Sequence, residues 1–411
     1  MDRVAHFVSG RSPAGWLVLC PLALFIFIDA MGFAMVAPIL AAHPVSSSPT
    51  HQAIIYGVAM GIFPLATFFA APVLGTLSDR IGRRPMMIFC GLGLSSTFVV
   101  IAVGLLMDSA TIVILGRLVG GFMGATQAIA LAAMADAGEP GGKDARINIG
   151  LLASSLGFVL GPVLAGALAG GKIVPQLAEA EPLIAVFILT VATLVWIRLS
   201  VPAGGQIAAP GASLDFLRGL RDLAKTFRSP VLRRLARIFL FQQIGWGAFF
   251  FFIAPFLIHR LAFDPARASY YVALLGVGFC LSFAFVMPLL RKHFSARAIG
   301  VGAMAITAAG ITVSVFLPVP LAQWTVAIPI AIATAAGYGA LIMLFTDEAH
   351  GNEGEILGVT ASINALAFGV TSLAGGVISA ASPAGPLVAA AVLMGAATIM
   401  LFCNPKPKTT R

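Results

Sequence analysis

Residues 75–85 read Gly75-Thr-Leu-Ser-Asp79-Arg80-Ile-Gly82-Arg83-Arg84-Pro85. Apolar runs flank this stretch, His51 to Leu77 before it and Pro85 to Met107 after it. Four charges so close together must sit in water, whereas apolar runs of about 18 residues or more read as membrane-crossing helices. The stretch therefore marks a polar connection at one face of a membrane.

The same alternation extends along the chain. Of 411 residues, 59% are hydrophobic and 10% charged, and mean hydropathy is +0.99. That composition excludes a soluble globular domain. Twelve apolar runs are expected to span, at 15–41, 51–77, 85–107, 110–137, 145–170, 182–199, 237–258, 267–290, 297–317, 321–346, 355–381 and 383–403. We number them spans 1 to 12. The fold expected is an all-α membrane protein in which two pseudo-symmetric six-helix bundles, residues 1–199 and 237–411, flank a linker, 200–236. The run 288–297, with Arg291, Lys292 and Arg297, holds the place in the second half that 75–85 holds in the first, as an echo without the acid or the glycine. Related halves of this kind rock about a central site.

The net charge of +9 suggests an anionic partner, but its distribution points to topology instead of nucleic acid. Of the 25 Lys and Arg residues, 21 fall on the side of the 75–85 connection, three (Lys172, Arg260, Arg267) on the other, and Arg117 within span 4. By the positive-inside rule both termini are cytoplasmic. The first apolar run is too long for a signal core, and Asp29 interrupts it, so it is expected to remain as a span. In the linker, Pro202, Gly204, Gly205 and Pro210 precede an amphipathic segment. Leu214, Leu217, Leu220 and Phe227 share one of its faces, away from Arg218, Arg221 and Lys225, with Ser213 as cap. This predicts a short basic helix on the cytoplasmic membrane surface. Cys20, Cys90, Cys280 and Cys403 lie in apolar runs without paired spacing or nearby histidines. They are expected to be buried free thiols, neither disulfide nor metal site.

Asp29 is the one carboxylate deep in an apolar run, about 20 Å of helical rise from either end. A charged carboxylate there costs on the order of 2.5 kcal/mol or more, so it must gain a proton or a cationic partner. Either outcome can couple proton flow to conformational change. Arg117 is the one basic residue within a span. Its guanidinium keeps its proton, and the depths of the two residues differ by roughly 8 Å, within reach of a long side chain or one bridging water. Span 5 carries Gly157, Gly161, Pro162 and Gly166, where small residues allow close packing and the proline favours a bend. Gly120 and Gly124 form a similar small face in span 4. Polar groups in the spans are few. Gln127, Gln242, Trp246 and Asn364, with Phe33, are the candidates to line a substrate cavity, which would suit an amphipathic, even cationic, organic molecule. Span 7 is rich in phenylalanine, and many of those rings are expected to face lipid or neighbouring helices.

Gly75, Leu77, Asp79, Arg80, Gly82, Arg83 and Arg84 match the pattern Gly-x-Leu-x-Asp-Arg-x-Gly-Arg-Arg/Lys. The chain thus resembles the major facilitator superfamily of secondary transporters, whose pattern sits between helices 2 and 3. The resemblance implies a gating role for this connection, with Asp79 capping a helix or pairing with an arginine across the halves. Asp29-Ala-Met-Gly32 through Pro38, together with Leu115-Gly-Arg117, resembles the superfamily's twelve-helix drug:proton antiporters, implying proton coupling at Asp29 modulated by Arg117. The Gly157–Gly166 pattern resembles that of its antiporters, implying export. Spans 1 and 4 are most similar to tetracycline exporters. Span 3 departs from them, having no acid to meet a metal–drug chelate, so no metal is implied.

The expected function is proton-driven antiport of an amphipathic small molecule across a cell inner membrane, by a monomer that needs no cofactor. Alternatives are an importer of a metabolite or siderophore, and a lipid-type flippase. No paired intramembrane catalytic groups and no Gly-x-x-x-x-Gly-Lys-Ser/Thr loop occur, which argues against an enzyme and against ATP as energy source.

Overall fold

The computed structural model describes residues 13–137, 143–168, 170–202, 216–217, 219–221, 224, 229–348 and 353–403. Among the described residues there is no strand, and twelve helices are long and apolar enough to cross a membrane. Spans 1 to 6 run over Pro13–Ala42, Pro49–Ile81, Arg83–Leu106, Ala110–Asp136, Lys143–Leu168 and Glu181–Ser200. Spans 7 to 12 follow at Pro230–Leu261, Pro265–Leu290, Ala296–Phe316, Pro320–Asp347, Glu353–Ala381 and Gly385–Phe402.

Four boundaries differ from expectation, each for a local reason. Span 2 continues to Ile81, so Gly75 to Ile81 is helix, not loop. Only Gly82 breaks the chain between spans 2 and 3, at φ 107°, a conformation that glycine reaches without strain. Span 4 is two helices, Ala110–Phe122 and Thr126–Asp136, separated by a turn at 123–125. Span 7 starts at Pro230 instead of 237, because Ser229 accepts from the Leu232 N–H and Pro230 supplies a preset φ at the first turn. Span 8 carries a π-turn at Ser282–Val286. Of the amphipathic basic helix expected in the linker, Ser213, Leu214, Arg218, Lys225 and Phe227 fall outside the described residues. Its described Gly219 lies against Phe68 of span 2 and Ser362 of span 11, 3.3 and 3.5 Å from where a Cβ would sit.

Glycines set the closest packing. A Cβ on Gly157 would run into the Phe27 carbonyl and one on Gly161 into the Met31 carbonyl, which holds span 5 backbone-to-backbone against span 1 on either side of Asp29. The two halves meet through spans 2 and 11 and through spans 5 and 8. Gly57 and Gly376 face each other at 2.6 Å from Cβ position to Cα, and Gly61 stands 2.7 Å from the Gly369 carbonyl. Gly166 abuts Ala266 and Ser269, and Gly276 abuts Phe158.

The apolar core has an uneven shape. One large cluster runs through both halves, including Met35, Tyr56, Phe251, Phe252 and Tyr271, and in the second half it reaches the Asp79 end through Leu235, Phe345 and Leu401. At the Asp79 end there are in addition two separate clusters. One holds Leu22, Phe25, Met87, Ile129 and Ile197 from the first half; the other holds Met287, Ile299, Ala303 and Ala340 from the second. The span 7 phenylalanines face neighbouring helices, Phe239, Phe249, Phe250, Phe251 and Phe252 all being buried. One expectation is corrected. The cysteines are free, but only Cys90 is buried; Cys20 and Cys403 are exposed.

Candidate functional site

Span 1 brings Asp29 half-buried to the middle of the first bundle, where its Oδ1 accepts from the Thr126 hydroxyl at 3.0 Å. Thr126 is the first residue of the second helix of span 4, so the break at 123–125 is what aims it. Arg117 lies on the first helix of span 4 and is 3% exposed. Its Nε donates to the Ala59 carbonyl at 3.0 Å, its guanidinium stands 4.5 Å over the Phe63 ring, and its Nη2 has no partner. The two residues do not touch. They line one small cavity together with Gly32, Phe33, Phe63, Leu94, Thr97, Phe98 and Ile101. Neither a hydrogen bond nor an ion pair joins them in this state. Glycine again makes room: a Cβ on Gly32 would collide with Phe98.

Phe33 packs edgewise against Phe158 of span 5 and tilted against Phe63, at centroid distances of 5.9 and 5.7 Å. Gln127 donates to Ser154 at 2.7 Å. In the second half Asn364 accepts from Gln243 at 2.6 Å, not from Gln242. Gln242 is buried with neither Oε1 nor Nε2 partnered, and Trp246, one turn on, packs against Phe249, Phe250 and Phe279. The expected cavity residues therefore fall into two groups, one in each half.

At the 75–85 connection, Asp79 pairs with Arg83 at 2.5 Å, one helical turn on and in the same half. Arg83 also meets Asp136, at the end of span 4, at 3.2 Å, and Ser78 at 3.3 Å. Arg84 donates to the Val201 carbonyl at 2.8 Å. A pairing of Asp79 across the halves is expected only with the Asp79 end closed; in this state the network ties spans 2, 3, 4 and 6 of the first half together. Among the described residues nothing lies within 4 Å of a Cβ placed on Gly75. In span 5, Gly157 and Gly161 meet span 1, Gly166 meets span 8, and Pro162 sits in a helix that runs unbroken from 143 to 168.

Three contributors escaped the sequence. Thr126 sits beside Gln127 in a stretch that was otherwise informative. Arg146 donates to the Met134 and Ala135 carbonyls at 2.8 Å each, closing the end of span 4. Tyr56 donates across the halves to the Phe251 carbonyl at 2.5 Å. Only Arg146 carried a signal, as a cation near a helix end.

An all-helical, twelve-span membrane protein with a carboxylate and an arginine around a small cavity in its first bundle has the architecture of a membrane transporter rather than of an enzyme. The family model for the Major Facilitator Superfamily matches residues 22–372, and the chain belongs to that family. It is 28% identical over 400 residues to the tetracycline resistance protein, class C, of Escherichia coli, covering 92% of this chain and 93% of that one. Among solved structures it is similar in fold to the human organic anion transporter MFSD10, at 19% identity and a TM-score of 0.69, covering 95% of this chain and 100% of that one. The nucleoside transporter NupG is similar too, at 14% identity and a TM-score of 0.70, with 94% and 98% covered.

Proposed function

We propose that this transporter is a proton-coupled antiporter that exports an amphipathic organic molecule from a cell across the inner membrane, of the multidrug efflux type. The observation that carries this is Asp29: a carboxylate in mid-membrane, held by one hydroxyl and sharing a cavity with a buried arginine. Such a group can load and release a proton as the halves rock, and the gradient alone supplies the energy. The similarity to tetracycline resistance proteins supports export, as do the span 5 glycines that pack on the span bearing Asp29. Span 3 has no acid to receive a chelate, which favours a metal-free organic substrate. The excess of Lys and Arg at the Asp79 end supports a cytoplasmic position for that end and for both termini. Lining by Phe33, Gln127, Gln242, Trp246 and Asn364 suits a ligand with an aromatic body and few polar groups. Gly75, Asp79, Arg80, Gly82, Arg83 and Arg84 act as the gating unit.

The test is proton release from inside-acid everted vesicles, wild type against Asp29→Asn, challenged with cationic and neutral amphipathic compounds. Compound-induced release in wild type and its loss in a folded, inserted Asp29→Asn is expected. Release that persists in the variant rules out coupling at Asp29. No release by any compound in either protein moves the assignment to an importer or a flippase of the same fold.

A further inference from the structure

The cavity between Asp29 and Arg117 has an unbalanced charge. The guanidinium keeps its proton, and no carboxylate lies within 4.0 Å of it among the described residues. A buried ion without a partner costs several kcal/mol. The Ala59 carbonyl and the Phe63 ring face offset part of that, while Nη2 is left with no acceptor at all. The rest of the wall offers little. Gly32, Phe33, Leu94, Phe98 and Ile101 are apolar, and the Thr97 hydroxyl donates to the Leu94 carbonyl at 2.7 Å and takes no bond from Nη2. Asp29 is the one other charged group there. Every other charged side chain described on spans 1 to 6 lies at a helix end. Of the remaining titratable groups packed nearby, Tyr56 donates to Phe251 and Cys90 is buried between spans 1, 3 and 6.

With Asp29 ionised, the pair is neutral and water can fill the space between. With Asp29 protonated, the cavity carries a full positive charge and the two unpartnered N–H groups of Nη2. The space is small, so only a compact ion fits it, with slight give of the apolar wall. We propose that this cavity is a binding site for a compact monovalent anion, chloride in a cell, held by Arg117 Nη2 and admitted when Asp29 takes up its proton. The cavity then exchanges charge instead of accumulating it. Linkage makes the effect reciprocal: protons tighten the anion and the anion tightens the proton. The proposal concerns binding only, and stands or falls apart from which molecule is exported and whether Asp29 drives it.

The test is a chloride titration of the purified full chain in detergent. Thermal unfolding is followed while sodium gluconate is replaced by sodium chloride at constant ionic strength, at pH 5.5 and pH 8.0. Wild type is expected to show a saturable rise in Tm at pH 5.5, with an apparent Kd at least tenfold weaker at pH 8.0. Asp29→Asn, neutral at both pH values, should bind equally well at both. Arg117→Gln should lose the chloride effect. If Arg117→Gln does not fold, the pH behaviour of Asp29→Asn against wild type decides alone. No saturable chloride effect in wild type at pH 5.5, or a pH dependence that Asp29→Asn retains, overturns the proposal. Because no transport is measured, failure here leaves the vesicle result standing, and the converse holds too.

Discussion

At the residue scale, the position of Asp29 depends on what lies behind it. Span 5 presents Gly157 and Gly161 to the Phe27 and Met31 carbonyls, with no space for even a methyl group. Gly161→Ala must push span 1 away or strain it. Overpacking of this kind costs about 1–3 kcal/mol, so a Tm several degrees lower is expected in detergent, with a larger loss for Gly161→Val. Gly75→Ala is the control: among the described residues nothing lies within 4 Å of its Cβ, and its Tm should stay close to wild type. Equal effects of the two alanines would contradict the packing described. Asp29, Arg117 and the glycine pattern were legible in the sequence because a charge in an apolar run and a periodic absence of side chains are both one-dimensional signals. The hydroxyl of Thr126 was not. Its role depends on a helix break at 123–125 that no proline announces, and on a neighbour 97 positions away.

At the scale of elements, the run that decides the fold behaves as two helix ends and one glycine. The sequence shows that charges cluster there. It does not show that Asp79 and Arg83 stand one turn apart across Gly82, nor that Asp136 arrives from span 4 to share Arg83. These ion pairs are partly exposed, Asp79 and Asp136 by 39% and 49%. Exposed pairs contribute about 0–1 kcal/mol each, too little to matter for folding. Their role is to bind the ends of spans 2, 3 and 4 into one unit that moves together. Asp79→Ala is therefore expected to change Tm by less than about 2 °C, but to lower turnover several-fold at unchanged substrate affinity. Normal turnover in that variant would reduce the run to a marker of topology. The linker and the start of span 7 show the opposite limit of sequence reading. Basic residues at 233, 234 and 237 pulled the expected boundary inward, yet a serine cap and a proline carry the helix back to Pro230.

At the scale of the molecule, the closest contacts between the two halves lie at the end remote from Asp79. Gly57 meets Gly376 and Gly61 meets Gly369 in the halves of spans 2 and 11 remote from Asp79, and Tyr56 clasps Phe251 at the same level. The state is therefore closed at that end. Closure there requires two backbones to approach to van der Waals contact, which side chains at 57 or 376 would forbid. Gly57→Leu should accordingly destabilise this state relative to the one open at the same end. A cost of about 3 kcal/mol is enough to shift a two-state population by roughly two orders of magnitude. The reporter is Ser372→Cys, a small swap at a site fully buried against Gly61, placed in a chain whose four native cysteines are replaced. Its reaction with a water-soluble maleimide is expected to be at least tenfold faster in Gly57→Leu than with Gly57 intact. An unchanged rate in a folded protein would mean that the glycine contact between spans 2 and 11 does not hold this end shut, and that the Tyr56 clasp or the packing of span 5 on span 8 does so instead.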